Sequence, residues 1–350
     1  MKHYIIPIFI PHLGCPNQCV FCNQRLITGA SAEVTVEQVR AIIAGHLARI
    51  SEPRRVEIAF YGGSFTALPA ARQIELLAPA RQALEDGAVD AIRVSTRPDA
   101  VDCQRIERLI EFGVGTIELG AQSLDDAVLA SAGRGHSAAD TAKAAALIKS
   151  YALQCGIQLM PGLPGEDWPS LIRTAGQVVR LRPDFTRVYP TIVIAGTQLA
   201  ALYQAGRYAP LALDSAVARA AYLKLLFESA GIPVIRTGLQ ATEDLNADTV
   251  LAGPYHPAFG ELVESFWYRM LVARLLDCFP AKRPEKLTVV HHRRDASKVR
   301  GLNNRNTAYW RSQYGIREIS FRPEGTRQGE IIVEIDQIQY NGNKFMLLNN

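Results

Sequence analysis

Cysteine is scarce in this chain, six in 350 residues, too few for a disulfide framework. Long apolar runs are missing as well. The longest early stretch, Tyr4 to Leu13, is broken by Pro7 and Pro11 and falls short of the ~20 residues that cross a bilayer. Only Lys2 precedes it, and cysteines follow where a secretory leader would need small residues and a cleavage site. The chain therefore reads as cytoplasmic, with no membrane partner. With 48% apolar, 21% charged and 8% aromatic residues, the composition is that of a globular protein with a core, which excludes a disordered or collagenous chain.

The few cysteines are unevenly spread. Cys15, Cys19 and Cys22 crowd into eight positions, which suggests reduced thiols and a metal, whereas Cys103, Cys155 and Cys278 stand alone and read as small buried hydrophobes. Charge is uneven too. Residues 281–327 hold twelve Lys or Arg against four acids, a surplus of eight, while the whole chain carries +4. The remainder is therefore net negative, and the basic C-terminal segment points toward a polyanion.

Short β-like runs alternate with longer helical ones up to about residue 236, the pattern of β-α repeats around a parallel sheet. Strands are expected over Tyr4–Ile10, Val56–Phe60, Ala91–Ser95, Thr116–Leu119, Gln154–Leu159 and Phe185–Tyr189, with Pro233–Arg236 a candidate closing strand. Helices are expected over Thr35–Ile50, Ala70–Glu85, Cys103–Phe112, Ala138–Tyr151, Pro169–Arg180 and Ser215–Ala230. Thr35 with Gln38 forms a capping-box pair, and Gly113 and Gly231 stand where helices stop. The fold class is α/β: a partial (β/α)6 TIM-type barrel over residues 1–236, followed by a small basic α+β C-terminal domain over residues 237–350. In such barrels reactive groups gather on loops at the C-terminal ends of the strands.

The first of those loops reads Gly14-Cys15-Pro16-Asn17-Gln18-Cys19-Val20-Phe21-Cys22, a C-x3-C-x2-C spacing. Three thiolates on one loop can hold three irons of a 4Fe-4S cube and leave the fourth iron open. Zinc would want a fourth ligand, for which His12 is the near candidate, and usually a second Cys-x-x-Cys knuckle, which the sequence lacks.

This cysteine loop after the first strand resembles that of the radical S-adenosyl-L-methionine (SAM) enzymes. The resemblance implies two cofactors, a 4Fe-4S cluster on Cys15, Cys19 and Cys22 and SAM on its open iron, with reductive cleavage to a 5′-deoxyadenosyl radical. It also implies an electron donor of the flavodoxin or ferredoxin type. Gly62-Gly63-Ser64 resembles the family's glycine-rich motif for the methionine amino group, and Phe21 the aromatic beside the adenine. Thr96, in Thr96-Arg97-Pro98-Asp99, is a further cofactor-binding candidate of this resemblance, and Ser95 stands in place of the acid that commonly precedes it and recognises ribose. Gln122 and Arg134 match positions set against SAM, and Gln158 a position that is often acidic. His136 reads as structural. Tyr189, Tyr255 and His256 occupy loop positions from which a relay to substrate would act, but no catalytic acid or base is assigned.

Within the superfamily, Ser95–Asp99, Cys22-Asn23-Gln24 and Gly253–Gly260 resemble the Elongator catalytic-subunit family and its shorter bacterial relatives. That implies modification of a tRNA base. Residues 237–350 contain no Gln/Arg-x-x-Gly-x-Gly/Ala loop of the kind that holds CoA pyrophosphate, so either a separate acyl-donor protein works in trans or the enzyme makes a different radical modification. Arg293, Arg294, Lys298, Arg300 and Arg305 are the candidate RNA contacts, with Tyr309, Trp310 and Tyr314 as stacking aromatics. Two other readings stay open: a radical SAM enzyme acting on a small molecule such as a tetrapyrrole, and a cluster-bearing electron carrier or redox sensor.

Overall fold

The structure is a computed structural model, and it describes residues 3–10, 15, 19–23, 34–51, 54–239, 249–279, 285–335 and 338–348. His12, Asn17 and Gln24 lie outside the described residues.

Seven strands run parallel in one sheet, in the order β1 (His3–Ile10), β2 (Arg55–Gly62), β3 (Ala91–Thr96), β4 (Val114–Gln122), β5 (Gln154–Leu159), β6 (Phe185–Val188) and, after the two-residue β7 (Val193–Ile194), β8 (Val234–Thr237). β8 pairs with β6 and not with β1. The expected closing strand therefore extends the sheet and leaves it open, a partial barrel. Its crossovers are the expected helices, at Val36–Leu47, Ala70–Glu85, Cys103–Glu111, Ala138–Ser150, Trp168–Leu181 and Leu213–Ser229.

Local chemistry fixes these boundaries. Thr35 caps the first helix, with Gln38 N–H donating to Thr35 Oγ1 at 3.2 Å and Thr35 N–H to Gln38 Oε1 at 2.8 Å. Ser137 with Asp140 and Asp167 with Ser170 repeat the device. Gly113 ends the Cys103–Glu111 helix at φ 77°, a left-handed turn that glycine adopts freely.

Alternation along the strands sorts side chains to two faces. Ile6, Ile8, Ile10, Val56, Ile58 and Phe60 pack against Leu76, Leu77, Ile106 and Leu109 of the helices. The other face carries charge. Arg93 bridges Glu57 at 2.6 Å and Glu118 at 2.5 Å, and Arg187 reaches Glu118 at 2.9 Å. The inward side of the sheet is thus lined by ion pairs where many barrels pack branched apolar side chains.

A short antiparallel pair joins β7 to β9 (Val250–Ala252). A second sheet, ordered β11 (Glu318–Arg322), β10 (Lys286–His291), β12 (Glu330–Ile335), β13 (Ile338–Asn343), lies against the helix Phe259–Asp277. That helix serves both sheets. Phe259, Leu262, Val263 and Trp267 pack with Val188 and Ala220, while Leu271, Val272 and Leu275 pack with Val289 and Val333.

Several sequence expectations are corrected here. Trp310 is fully buried, its indole N–H donating to Arg269 O at 3.0 Å, so it belongs to the core and stacks on no exposed base. Tyr314 is tied to Asp277 at 2.9 Å, and Tyr309 packs on that core beneath the Arg269 guanidinium. Cys155 is buried as expected, but Cys103 and Cys278 are exposed. No helix among the described residues is long and apolar enough to cross a membrane.

Candidate active site

The site lies at the C-terminal ends of the strands. Cys19 is buried, and Cys15 and Cys22 are half-buried. Backbone bonds pin this loop to its neighbours: Val20 N–H donates to Ala132 O at 3.1 Å, Leu199 N–H to Val20 O at 2.7 Å, and Cys22 N–H to Cys19 O at 3.1 Å. Phe21 packs beside Met160 and Leu163 in the small cluster that also contains Val20.

The β2 loop meets the β3 loop here. Gly63 N–H donates to Ile10 O at 2.9 Å, which folds the Gly62-Gly63-Ser64 turn back onto β1. Ser64 Oγ lies 2.9 Å from Thr96 Oγ1 and accepts from Arg97 N–H at 3.2 Å, and Thr66 Oγ1 lies 2.6 Å from Thr96 Oγ1. Thr96, expected to bind the cofactor, is thus engaged with two hydroxyls. Cys15 rests against the same turn. Burial and the neighbouring Cys19 push its thiol up, whereas Arg97, the Ser64 N–H and Arg134 pull it back.

β4 brings the remaining polar groups. Gln122 is in the left-handed region at φ 68° and accepts from Gln158 Nε2 at 3.1 Å. A Cβ at Gly120 would stand 3.0 Å from Gln122 Nε2, which would have to give way, and in ordinary contact at 3.6 Å with Arg134 Nη2 and Thr96 O. Arg134 Nη1 donates to Cys19 Sγ at 3.1 Å and its Nη2 to Gly120 O. His136 is buried beside Arg134, and burial together with the Arg134 charge lowers it to about 4, so it is neutral at physiological pH.

The structure therefore gathers Cys15, Cys19, Ser64, Thr96, Gln122, Arg134 and Gln158 at one mouth of the sheet. Sequence reading missed Arg97. Its guanidinium is buried, forked onto Asp99 at 2.8 and 2.9 Å, and adds positive charge beside the two thiols. The available signal was alternation: Arg97, one residue past the end of β3, continues the every-second-residue pattern of Arg93 and Ser95. Below lies the charged layer, where Arg187 sits 5.0 Å over the Tyr61 ring and 5.4 Å over that of Tyr189. Burial pushes the Tyr61 hydroxyl up to about 12, so it stays protonated.

The residues fit an anionic cluster better than a single ion. Three thiolates on one loop suit a cube, which spreads its ligands over different irons. Arg134 Nε and Arg97 Nη1 are buried without hydrogen-bond partners among the described residues, and buried cations are normally satisfied by an anion.

The five candidate RNA contacts are not equivalent. Lys298 bonds Glu264 at 2.5 Å, Arg305 reaches Asp214 at 3.4 Å, and Arg300 lies over the Phe321 ring. Arg293 and Arg294 are exposed, and neither pairs with a carboxylate among the described residues.

Residues 9–178 match the family model of the Radical SAM superfamily, and residues 183–269 match the Radical_SAM C-terminal domain. A tRNA uridine(34) acetyltransferase of Dehalococcoides mccartyi is 28% identical over 239 residues, covering 59% of this chain and 52% of that protein. Its namesake in Methanocaldococcus jannaschii is 30% identical over 179 residues, covering 50% and 32%. Elongator complex protein 3 of Schizosaccharomyces pombe is 28% identical over 207 residues, covering 53% and 37%. The matches thus span between a third and about half of these relatives. The solved structure of Methanocaldococcus infernus Elp3 covers 77% of this chain and 63% of its own, with a TM-score of 0.61 and 23% identity, and so shares the fold.

Proposed function

Proceeding from the premise that this chain belongs to the radical SAM superfamily and is an enzyme related to the Elongator-type tRNA uridine acetyltransferases, we propose that it modifies a tRNA base. The observation that carries the chemical part is the convergence of Cys15 and Cys19 with Ser64, Thr96, Gln122 and Arg134 at the sheet's C-terminal mouth. Cys15, Cys19 and Cys22 would hold the 4Fe-4S cluster, which when bound supplies the electron for reductive cleavage of SAM. The superfamily uses both cofactors and requires an electron donor.

The protein's own residues have three tasks. The Gly62-Gly63-Ser64 turn presents backbone close to Cys15, where a small zwitterion can approach without side-chain obstruction. The Gln122 and Gln158 amides supply neutral hydrogen-bonding groups for the rest of the SAM molecule. Phe21, with Met160 and Leu163, closes one side with apolar surface and limits water access.

The tRNA reading is supported by the activity in the names of the relatives and by Arg293 and Arg294, exposed and without carboxylate partners among the described residues. The basic segment as a whole is a less direct argument, since Lys298 and Arg305 already pair within the protein. An acyl group, if the reaction uses one, would come from a separate donor protein.

The test combines binding and turnover. Cytoplasmic tRNA is expected to stimulate 5′-deoxyadenosine formation from SAM. Replacing both Arg293 and Arg294 with Ala is expected to weaken tRNA binding and flatten the slope of log affinity against log salt by about one to two. SAM cleavage indifferent to tRNA, together with an unchanged slope, would contradict the tRNA assignment while leaving the radical SAM chemistry in place.

A further inference from the structure

Arg134 matches a position at which the resemblance predicts SAM contact, yet its guanidinium is directed at a cysteine sulfur. The residue lies between Gly133 and Gly135, both left-handed at φ 64° and 69°, in the turn between the helices Asp126–Ser131 and Ala138–Ser150. The Arg134 N–H donates to Leu129 O at 3.0 Å, which anchors that turn. One residue before Gly133, Ala132 O receives the Val20 N–H at 3.1 Å. Turn and cysteine loop are therefore tied together by backbone at the point where Arg134 Nη1 meets Cys19 Sγ at 3.1 Å.

Electrostatics gives this contact its weight. Arg134 is only 6% exposed. Among the described residues no carboxylate pairs with it; its contacts are Cys19 Sγ and Gly120 O, and its Nε has none. An isolated buried guanidinium is costly. A thiolate at Cys19, and more so an anionic cluster bound there, would supply the missing counter-charge. Hydrogen bonds and charge at cluster sulfurs are among the levers that set reduction potential.

We propose that Arg134 is a positioning residue for the cluster: its charge-assisted N–H···S bond holds the Cys19 thiolate and favours the reduced state of the 4Fe-4S cluster. This inference rests on the proposed cluster. It assigns Arg134 a function that operates before SAM arrives.

The experiment compares wild type, Arg134→Gln and Arg134→Lys after anaerobic reconstitution, using an EPR-monitored redox titration without SAM followed by titration with SAM. Arg134→Gln is expected to be harder to reduce, with the reduced-to-oxidised ratio at a fixed potential falling about tenfold, which is about 59 mV for one electron. Arg134→Lys, which keeps the charge, is expected to stay close to wild type. Loss of the cluster from the Gln variant alone, with a native circular dichroism spectrum, also supports the proposal. An unchanged potential in Arg134→Gln combined with weakened SAM binding would overturn it and return Arg134 to SAM contact. Equal defects in both variants would overturn the charge argument. A wild-type protein that binds no cluster would reject the cluster assignment itself.

Discussion

Glu166 shows how one residue couples the proposed SAM pocket to pH. Its carboxylate accepts the Gly162 N–H at 2.7 Å, and Tyr208 OH donates to Gly162 O at 2.7 Å, so both backbone polar groups of Gly162 in the Met160–Asp167 loop are held. That loop supplies Leu163 to the cluster packed with Phe21. Burial pushes Glu166 up to about 7, against a smaller opposing pull from the Gly162 N–H and Arg219, while Asp167 and Asp125 reinforce the rise. A carboxyl group whose folded value is raised binds its proton more tightly in the native state. Its contribution is therefore fully present below the ordinary value of 4.5 and is lost as pH rises through about 7. Glu166→Gln keeps an acceptor for Gly162 and removes the titration. Urea unfolding should show the variant gaining on wild type between pH 5 and pH 8 by about 2 kcal/mol, a figure reduced from the full shift for partial solvent access. An equal difference at both pH values would contradict this reading of Glu166.

At the scale of elements, the inward faces of β2, β3, β4 and β6 carry one connected network, Glu57, Arg93, Glu118 and Arg187. Arg93 is its centre, 5% exposed and bonded to both acids. Arg93→Met should destabilise the protein by about 3–5 kcal/mol, because Glu57 and Glu118 lose a buried partner. Adding Glu57→Gln should recover part of that loss, a coupling that a double-mutant cycle in urea measures. Additive losses would mean that the pairs act independently.

The same strands show what was legible in the sequence. Their positions were, because β-branched and aromatic runs bounded by glycine and proline declare themselves locally, as in Val56–Phe60 between Pro53 and Gly62. The capping box at Thr35 was also legible, since its two partners are three residues apart. The buried helix Phe259–Asp277 was not: it is apolar on faces turned to two different sheets, so no single amphipathic stripe marks it. The function of Trp310 was misread for a related reason. Aromatics beside basic residues look alike in sequence whether they face solvent or core, and only the packing of Trp310 with Leu271, Val289 and Val333 decides. In the site, the cysteine spacing and five loops in strand order were readable. The Arg134 contact to Cys19 was not, because it joins residues 115 positions apart.

For the whole molecule, an open parallel sheet presents its loops at one mouth, and those loops bring thiols, hydroxyls, amides and two guanidinium groups together. The second sheet shares the helix Phe259–Asp277 with the first, so a surface carried by β10 to β13 is fixed relative to that mouth. Arg293 and Arg294, just after β10, are exposed members of the basic segment that pair with no carboxylate among the described residues. The central claim, that this mouth performs radical SAM chemistry through the three cysteines, is tested most directly by anaerobic reconstitution of wild type and Cys19→Ser. Iron content is measured first, then 5′-deoxyadenosine formed from SAM under a strong reductant. Wild type should hold about four irons and release 5′-deoxyadenosine, and Cys19→Ser should lose both together. A cluster-loaded wild type that leaves SAM intact, or a Cys19→Ser variant that still cleaves it, would contradict the account.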